Sequence, residues 1–184
     1  MGHTGRRNPL RATPDRVLCA ILLNPPLRPA EETVTYRNVT AALSITGCQS
    51  LSLVNLLAVP SKDLPSLNQT PISAREIVIS REKLRKSITH SDEVLVAWGM
   101  GGGTGMLRQL LKDQVTYVRE VLREQGVRSV WTLEGKPRHP SRWHQYLGPQ
   151  KNRVPGSSFQ DRLNRALVPL LLDQPGITVA EDSF

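Results

Sequence analysis

Val17-Leu18-Cys19-Ala20-Ile21-Leu22-Leu23, followed at once by Asn24-Pro25-Pro26, decides the fold class of this chain. A short apolar run with no polar alternation predicts a strand covered on both faces, as in a parallel sheet between helical layers. The prolines then end it, because proline fixes φ and has no amide hydrogen to give to a ladder. Three more short runs, at 50–54, 93–98 and 127–133, are β-branched or Leu-rich, each closing on or near Asn, Gly or Pro.

Helical spacing fills the intervals. The pattern predicts helices over 33–44, 80–88 and 105–125, the last carrying Met106, Leu107, Leu110, Leu111, Val115, Val118 and Leu122 on one stripe. Gly126 is placed to stop that helix. A final helix is expected over 157–172, with Ser157 or Ser158 as its cap. Residues 62–74 and 136–156 are polar and rich in Pro or Gly, and read as long loops of the kind that carry function. Alternating strands and helices imply right-handed crossovers and a three-layer αβα domain with a central, mainly parallel four-stranded sheet. The expected organisation is a flexible N-terminus at 1–14, one domain over 15–175, and a C-terminal tail at 176–184.

Composition narrows the partners. The 184 residues contain 24 Lys and Arg against 16 Asp and Glu, a net charge of +8 and a pI near 10.1. That excess suits a phosphate-bearing partner and salt-sensitive binding. Cys19 and Cys48 are too few and too badly spaced for a disulfide framework or a metal site, and read as reduced packing residues. No apolar run approaches the ~20 residues of a membrane span. Arg6-Arg7 is not followed by an apolar signal core, so the expected location is the cytoplasm. Neither a cofactor, a metal nor an obligatory protein partner is expected.

In a parallel α/β sheet, ligands gather beyond the carboxyl ends of the strands. Here the first strand runs into Asn24-Pro25-Pro26-Leu27-Arg28-Pro29 and the second ends at Asn55. The third ends at Trp98-Gly99, and the fourth leads into Lys136-Pro137-Arg138-His139-Pro140-Ser141. Asn24-Pro25-Pro26 is a stiff turn able to hold an amide against a water molecule, or simply to cap the strand. Asn55 can donate and accept at once, which suits reading a base edge and equally suits a structural bond. His139 is a donor for a developing anion, Lys136, Arg138 and Arg142 are cations for phosphates, and Trp143, His144 and Tyr146 offer faces for stacked bases. The glycine-rich stretch 99–105, with Gly101 and Gly102, lies where phosphate loops occur. It lacks both the dinucleotide fingerprint, since position 104 is threonine, and the Gly-Lys-Ser/Thr of a P-loop.

Taken in order, these strand ends resemble the uracil-DNA glycosylase superfamily. Leu23-Asn24-Pro25 matches its first-strand motif, Leu53-Val54-Asn55 its Asn-ended strand, Val94 to Gly99 its strand ending in Trp-Gly, and His139-Pro140-Ser141 its last loop motif. The chain is closer still to a divergent bacterial and phage branch with an Asn-Pro first motif. The resemblance spans roughly residues 17–145 and implies a uracil-DNA glycosylase-like fold. It gives Asn24 the positioning of the attacking water and His139 the stabilisation of the departing base. Pro25, Pro26, Asn55 and Trp98 would surround that base, while Ser141 and its basic neighbours would hold DNA. It further implies removal of a modified base, such as glucosylated hydroxymethylcytosine of phage DNA, in antiviral defence. The residues depart from the superfamily pattern in three respects. Asn24 stands where the most active members carry Asp, Pro26 and Leu27 replace the Tyr that crowds a uracil pocket, and no Phe follows the first or second strand. No lysine sits at a strand end in a buried setting, which speaks against a Schiff-base, strand-cutting enzyme. A non-catalytic nucleic-acid-binding module and a nucleotide or sugar-phosphate enzyme using the 99–105 loop are the competing readings.

Overall fold

A computed structural model of the chain describes residues 15–99, 101, 103–151 and 154–172. The expectations for the 1–14 and 176–184 termini and for Gly102 lie outside the described residues.

The first half follows the sequence reading. Strand β1 (Val17–Leu22) is followed by helix α1 (Val34–Thr46), capped by Thr33, whose Oγ1 accepts from the Tyr36 amide at 3.0 Å. Strand β2 (Ser50–Asn55) comes next. The expected loop at 62–74 contains a short helix, α2 (Leu64–Asn68), capped by Asp63. Helix α3 (Ala74–Thr89) begins six positions before the expected 80. Its start signal is a capping box, with Ser73 and Glu76 bonding each other's backbone amides.

Strand β3 (Glu93–Val96), helix α4 (Gly105–Glu124) and strand β4 (Ser129–Leu133) complete the parallel part. The expected loop over 136–156 contains a 3-10 turn at Pro140–Arg142 and helix α5 (Trp143–Leu147).

The chain end departs from expectation. Helix α6 (Phe159–Ala166) begins at the predicted Ser158 cap but stops at Ala166, and Leu167–Leu171 forms a fifth strand, β5. Pro169 explains the change. It cannot donate within a helix and its ring clashes with the preceding turn, whereas an edge strand tolerates it. It sits opposite Trp131 in an antiparallel pairing with β4. The sheet is therefore five-stranded rather than four-stranded, in the order β2-β1-β3-β4-β5, with β1 to β4 parallel.

Helices cover both faces. Cys19, Ile21, Val54, Val94, Val96 and Trp98 pack with α3 and α4 through Leu84, Ile88, Leu111, Val115, Val118 and Leu122. On the other face Leu18, Ala20, Leu22, Leu95, Ala97 and Leu133 pack with Val39 and Ala42 of α1, Trp143 and Leu147 of α5, and Leu163 of α6. Each fully buried leucine contributes about 2 kcal/mol, so this double burial explains why β1 needs no polar alternation, whereas the edge strand β2 alternates Ser50 and Ser52 with Leu51 and Leu53. Cys19 and Cys48 are both free and buried, and burial pushes the Cys19 thiol up to about 12, which keeps it unreactive. No described helix is long and apolar enough to cross a membrane.

Candidate functional site

The carboxyl ends of the four parallel strands lie side by side, and backbone bonds extend the sheet past its formal limits there. Leu22 faces Asn55, the Leu56 amide donates to Leu22 O at 2.9 Å, and the Ala97 amide donates to Ile21 O at 2.9 Å.

Asn24 leaves β1 with its amide committed. Nδ2 donates to Pro25 O at 3.0 Å and to Ser61 O at 2.9 Å, and the Ser61 amide returns a bond to Pro25 O at 3.3 Å. The segment after β2 is thereby tied to the turn after β1. Both amide hydrogens are used, which fixes the side chain with Oδ1 as its acceptor end. Pro25 is half-buried and Pro26 exposed beside it.

Asn55 lies on the α1 side of the sheet, since its neighbour Val54 packs toward α3 and α4. Its Oδ1 is buried without a hydrogen-bond partner among the described residues. A buried carbonyl oxygen with no partner is costly. Gln114 of α4, itself fully buried, sets the level of this strand end. Its Nε2 donates to Leu56 O at 2.5 Å and to Ser80 Oγ at 2.9 Å, while its Oε1 accepts from Arg81 Nε at 2.7 Å.

Trp98 does not line this edge as an open face. It is 4% exposed and packs on the α3–α4 side. Gly99 is the part of the Trp-Gly pair that reaches the site. Its φ of +102° is strained for any residue with a side chain, and its amide donates to Pro137 O at 2.5 Å. A Cβ added there would lie 3.4 Å from the His139 Cβ.

A tight turn delivers His139. Glu134 and Gly135 have φ of +53° and +73°, the signature of a two-residue type I′ turn, and Leu133 and Lys136 exchange bonds of 3.1 Å across it. His139 then caps the Pro140–Arg142 turn. Its Nδ1 accepts from the Ser141 amide at 3.3 Å and lies 2.9 Å from Ser141 Oγ. A ring nitrogen that accepts from a backbone N–H carries no proton, so the hydrogen of the neutral ring sits on Nε2. Burial, and then the nearby Arg142 charge, lower the His139 pKa to about 4. From α1, the buried Asn38 donates Nδ2 to Pro140 O at 2.7 Å and holds the loop against the helix.

The predicted cations and aromatics separate into two groups. Lys136, Ser141 and Arg142 are exposed at the edge, as is Gly101, which packs beside Leu64 of α2. Arg138 is not free. Its guanidinium pairs with Glu134 at 3.1 Å and stacks 3.7 Å from the Tyr146 ring centroid, with Nε buried and without a hydrogen-bond partner among the described residues. Trp143 is fully buried in the α1-side core, where Nε1 donates to Arg138 O at 2.8 Å, so it offers no face to a base. His144 is stacked on Phe159 with centroids 4.4 Å apart.

Asn38, Ser61, Asn68 and Gln114 were not singled out by the sequence reading. Asn68 of α2 accepts from the Thr104 amide at 2.9 Å and anchors the exit of the 99–105 loop. Asn38 and Gln114 carried a legible signal, each being a polar residue on the buried stripe of an amphipathic helix. Among the described residues, no group of three His, Cys, Asp or Glu is placed to hold a metal ion.

Residues 7–141 match the family described as "Protein of unknown function (DUF1643)". The chain belongs to that family. The DUF1643 match includes Asn24, Asn55, Trp98-Gly99 and His139-Pro140, and ends on Ser141, leaving α5, α6 and β5 beyond it. No curated protein matches the chain, and neither does any solved structure.

Proposed function

We propose that this DUF1643 chain is a monofunctional DNA glycosylase that hydrolyses the N-glycosidic bond of a flipped-out modified base, on a uracil-DNA glycosylase-like architecture. The observation that carries the reading is His139: a neutral imidazole, its Nδ1 engaged by Ser141 and its proton on Nε2, packed against Gly99 at the junction of the strand ends.

In this reaction water adds to the anomeric carbon as the carbon–nitrogen bond breaks, and the bonding pair leaves on the base. The sugar passes through an oxocarbenium-like state, as in glycoside hydrolysis. A preorganised neutral donor in a half-buried site stabilises the anionic base without having to be reorganised. Asn24, its amide hydrogens spent on Pro25 O and Ser61 O, presents Oδ1 to orient the water. It cannot take the proton, which passes to solvent or to the departing base. Asn55 Oδ1, buried and unpartnered, supplies an acceptor for an amino or hydroxyl hydrogen of the base. Lys136, Ser141 and Arg142 hold the flanking phosphates. A modified cytosine of phage DNA, removed in the cytoplasm as antiviral defence, fits the missing uracil-pocket Tyr and Phe.

The nucleotide-enzyme alternative is less well supported. Of the amides a phosphate would need at the 99–105 loop, Gly99 N–H is given to Pro137 and Thr104 N–H to Asn68.

The test is base release. Duplexes carrying uracil, 5-hydroxymethylcytosine or its glucosylated form are incubated with the protein and abasic sites are cleaved with alkali. Cleavage that is lost in Asn24→Ala supports the proposal. Tight binding with no release, at enzyme excess, on all three duplexes would favour a non-catalytic binding module instead.

A further inference from the structure

The outer strands of a sheet present amides and carbonyls without partners, and an uncharged edge strand is open to pairing with another strand. The two edges of this sheet differ. On β5, the Leu172 amide donates to Arg128 O and the Glu134 amide to Ala166 O, so residues 166, 168, 170 and 172 face β4. Leu167, Pro169 and Leu171 therefore turn outward. The Leu167 amide is spent on Leu163 O and Pro169 has none, which leaves the Leu171 amide alone on that edge among the described residues. On β2, Ser50 and Leu56 donate to Arg16 O and Leu22 O, so Leu51, Leu53 and Asn55 direct both amide and carbonyl away from the sheet. Among the described residues these groups have no backbone partner, and β2 contains neither a proline nor a charge.

We propose that β2 is a self-association edge, where a second copy of this chain adds its own β2 antiparallel about a two-fold axis through Leu53. This assignment does not rest on the glycosylase reading. Charge selects the occupant. The chain carries +8, so two copies repel and meet at least cost where cations are absent. Between Arg37 and Lys62 there is no charged residue, the longest such stretch in the chain, and it holds β2 with most of α1. An acidic partner or a phosphate would find no cation on this strand, whereas the neutral strand matches itself. Pairing about Leu53 sets Leu53 opposite the partner's Leu53 and Leu51 opposite the partner's Asn55, so every outward amide meets an outward carbonyl. No like charges face each other across the pair. Leu51 and Leu53 are half-buried on the α1 side, as is Leu43, on the α1 flank away from Asn38 and Ala41, which meet Pro140 and Gln160. Association completes the burial of these leucines. On the other face α3 lies over β2, with Ser87 Oγ 3.0 Å from Ser52 Oγ and Lys83 exposed one turn before Ser87. An axis that reverses the strands turns the carboxyl edges of the two copies opposite ways and leaves both open.

Sedimentation equilibrium and amide exchange of the full chain test this edge. Expected is a species of twice the 20.5 kDa chain mass. Its association should tighten about threefold or more as salt rises from about 0.1 to 0.5 M, since screening relieves Lys83 and the net charge. DNA binding responds to salt in the opposite sense. Amide exchange at Leu51, Leu53 and Asn55 slows as protein concentration rises, and exchange at Leu171 does not. Leu53→Lys sets two ammonium groups across the axis, and Leu51→Pro gives β2 the protection that Pro169 gives β5. Each variant, folded by far-ultraviolet dichroism, should sediment as one chain, while Leu171→Lys keeps the dimer. A parent that stays at the mass of one chain up to about 0.1 mM overturns the assignment. So does a dimer that persists in folded Leu53→Lys and Leu51→Pro, or that is lost in Leu171→Lys. If neither β2 variant folds, exchange in the parent decides: protection at Leu51, Leu53 and Asn55 that does not change with concentration overturns the assignment, and concentration-dependent protection upholds it.

Discussion

Gly99 lies next to His139: a Cβ on Gly99 would sit 3.4 Å from the His139 Cβ, and the Gly99 amide is bonded to Pro137 two residues before the histidine. The end of β3 thus serves as the floor on which the His139 loop rests. Gly99→Ala must accommodate a φ of +102°, and it brings a methyl group to 3.4 Å from the His139 Cβ. A loss of about 1–3 kcal/mol in urea unfolding is expected, along with a shifted His139 ring resonance. An unchanged ring environment would mean that the loop does not depend on this contact.

Asn24→Asp is expected to destabilise rather than improve the protein. The carboxylate matches the residue of the most active glycosylases, but it puts negative charge against Pro25 O and Ser61 O, which now receive hydrogens. Two lost bonds and two crowded carbonyls predict a loss of about 2–4 kcal/mol by denaturant midpoint. Base release should fall with it unless a compensating substitution relieves the Ser61 segment.

His139 couples stability to pH. Its folded pKa of about 4 lies below the ordinary 6.5, so between these values the unfolded chain binds the proton and the folded chain does not. Stability therefore rises with pH from about 4 to 6.5 and is lost as pH falls through that window. His139→Asn should flatten this part of the profile, and histidine ring resonances in the folded parent should report a neutral His139 at pH 6.

The two polar residues on buried helix stripes should behave as clamps. Asn38→Leu removes the side-chain bond to Pro140 O, which keeps only the Trp143 amide, and Gln114→Leu strands Leu56 O and takes the acceptor from Arg81 Nε. Each should cost about 1–3 kcal/mol although the replacement is apolar and of similar size. Amide exchange should quicken around residue 140 in the first variant and around 56 in the second.

Arg138 and Arg142 should separate cleanly in DNA binding. Arg142→Ala or Lys136→Ala should lower the slope of log affinity against log salt by about 1 without moving the melting temperature. Arg138→Ala should lower the melting temperature, because its guanidinium is stacked on Tyr146 and paired with Glu134. A salt slope unmoved by Lys136→Ala and Arg142→Ala together would remove them from the phosphate contacts.

Much of the architecture was legible from local chemistry. Residues 17–23 are apolar throughout because β1 is covered on both faces, and the α4 stripe from Leu107 to Leu122 repeats at helical spacing because one side of it is core, while Met106, also expected on that stripe, stands exposed. The strand ends at Asn24, Asn55, Gly99 and His139 follow from the same reasoning, since parallel strands carry their carboxyl ends to one edge. The boundary at Ala166 was missed because an amphipathic start at Ser158 looks the same whether eight residues follow or sixteen, and only Pro169 hinted otherwise.

By itself the sequence determined the layers, the parallel core and the edge on which the polar residues gather, because burial on both faces and the stops at Pro, Gly and Asn are local properties. Tertiary structure alone decided which of those polar residues are free. Trp143, beside a cationic loop in the chain, is buried between α1 and α6, and Arg138 is locked over Tyr146. Leu27, next to Pro26 in the turn after β1, stands exposed. Availability is set by what packs against a side chain from far along the sequence, and a linear pattern of residue types does not contain those neighbours.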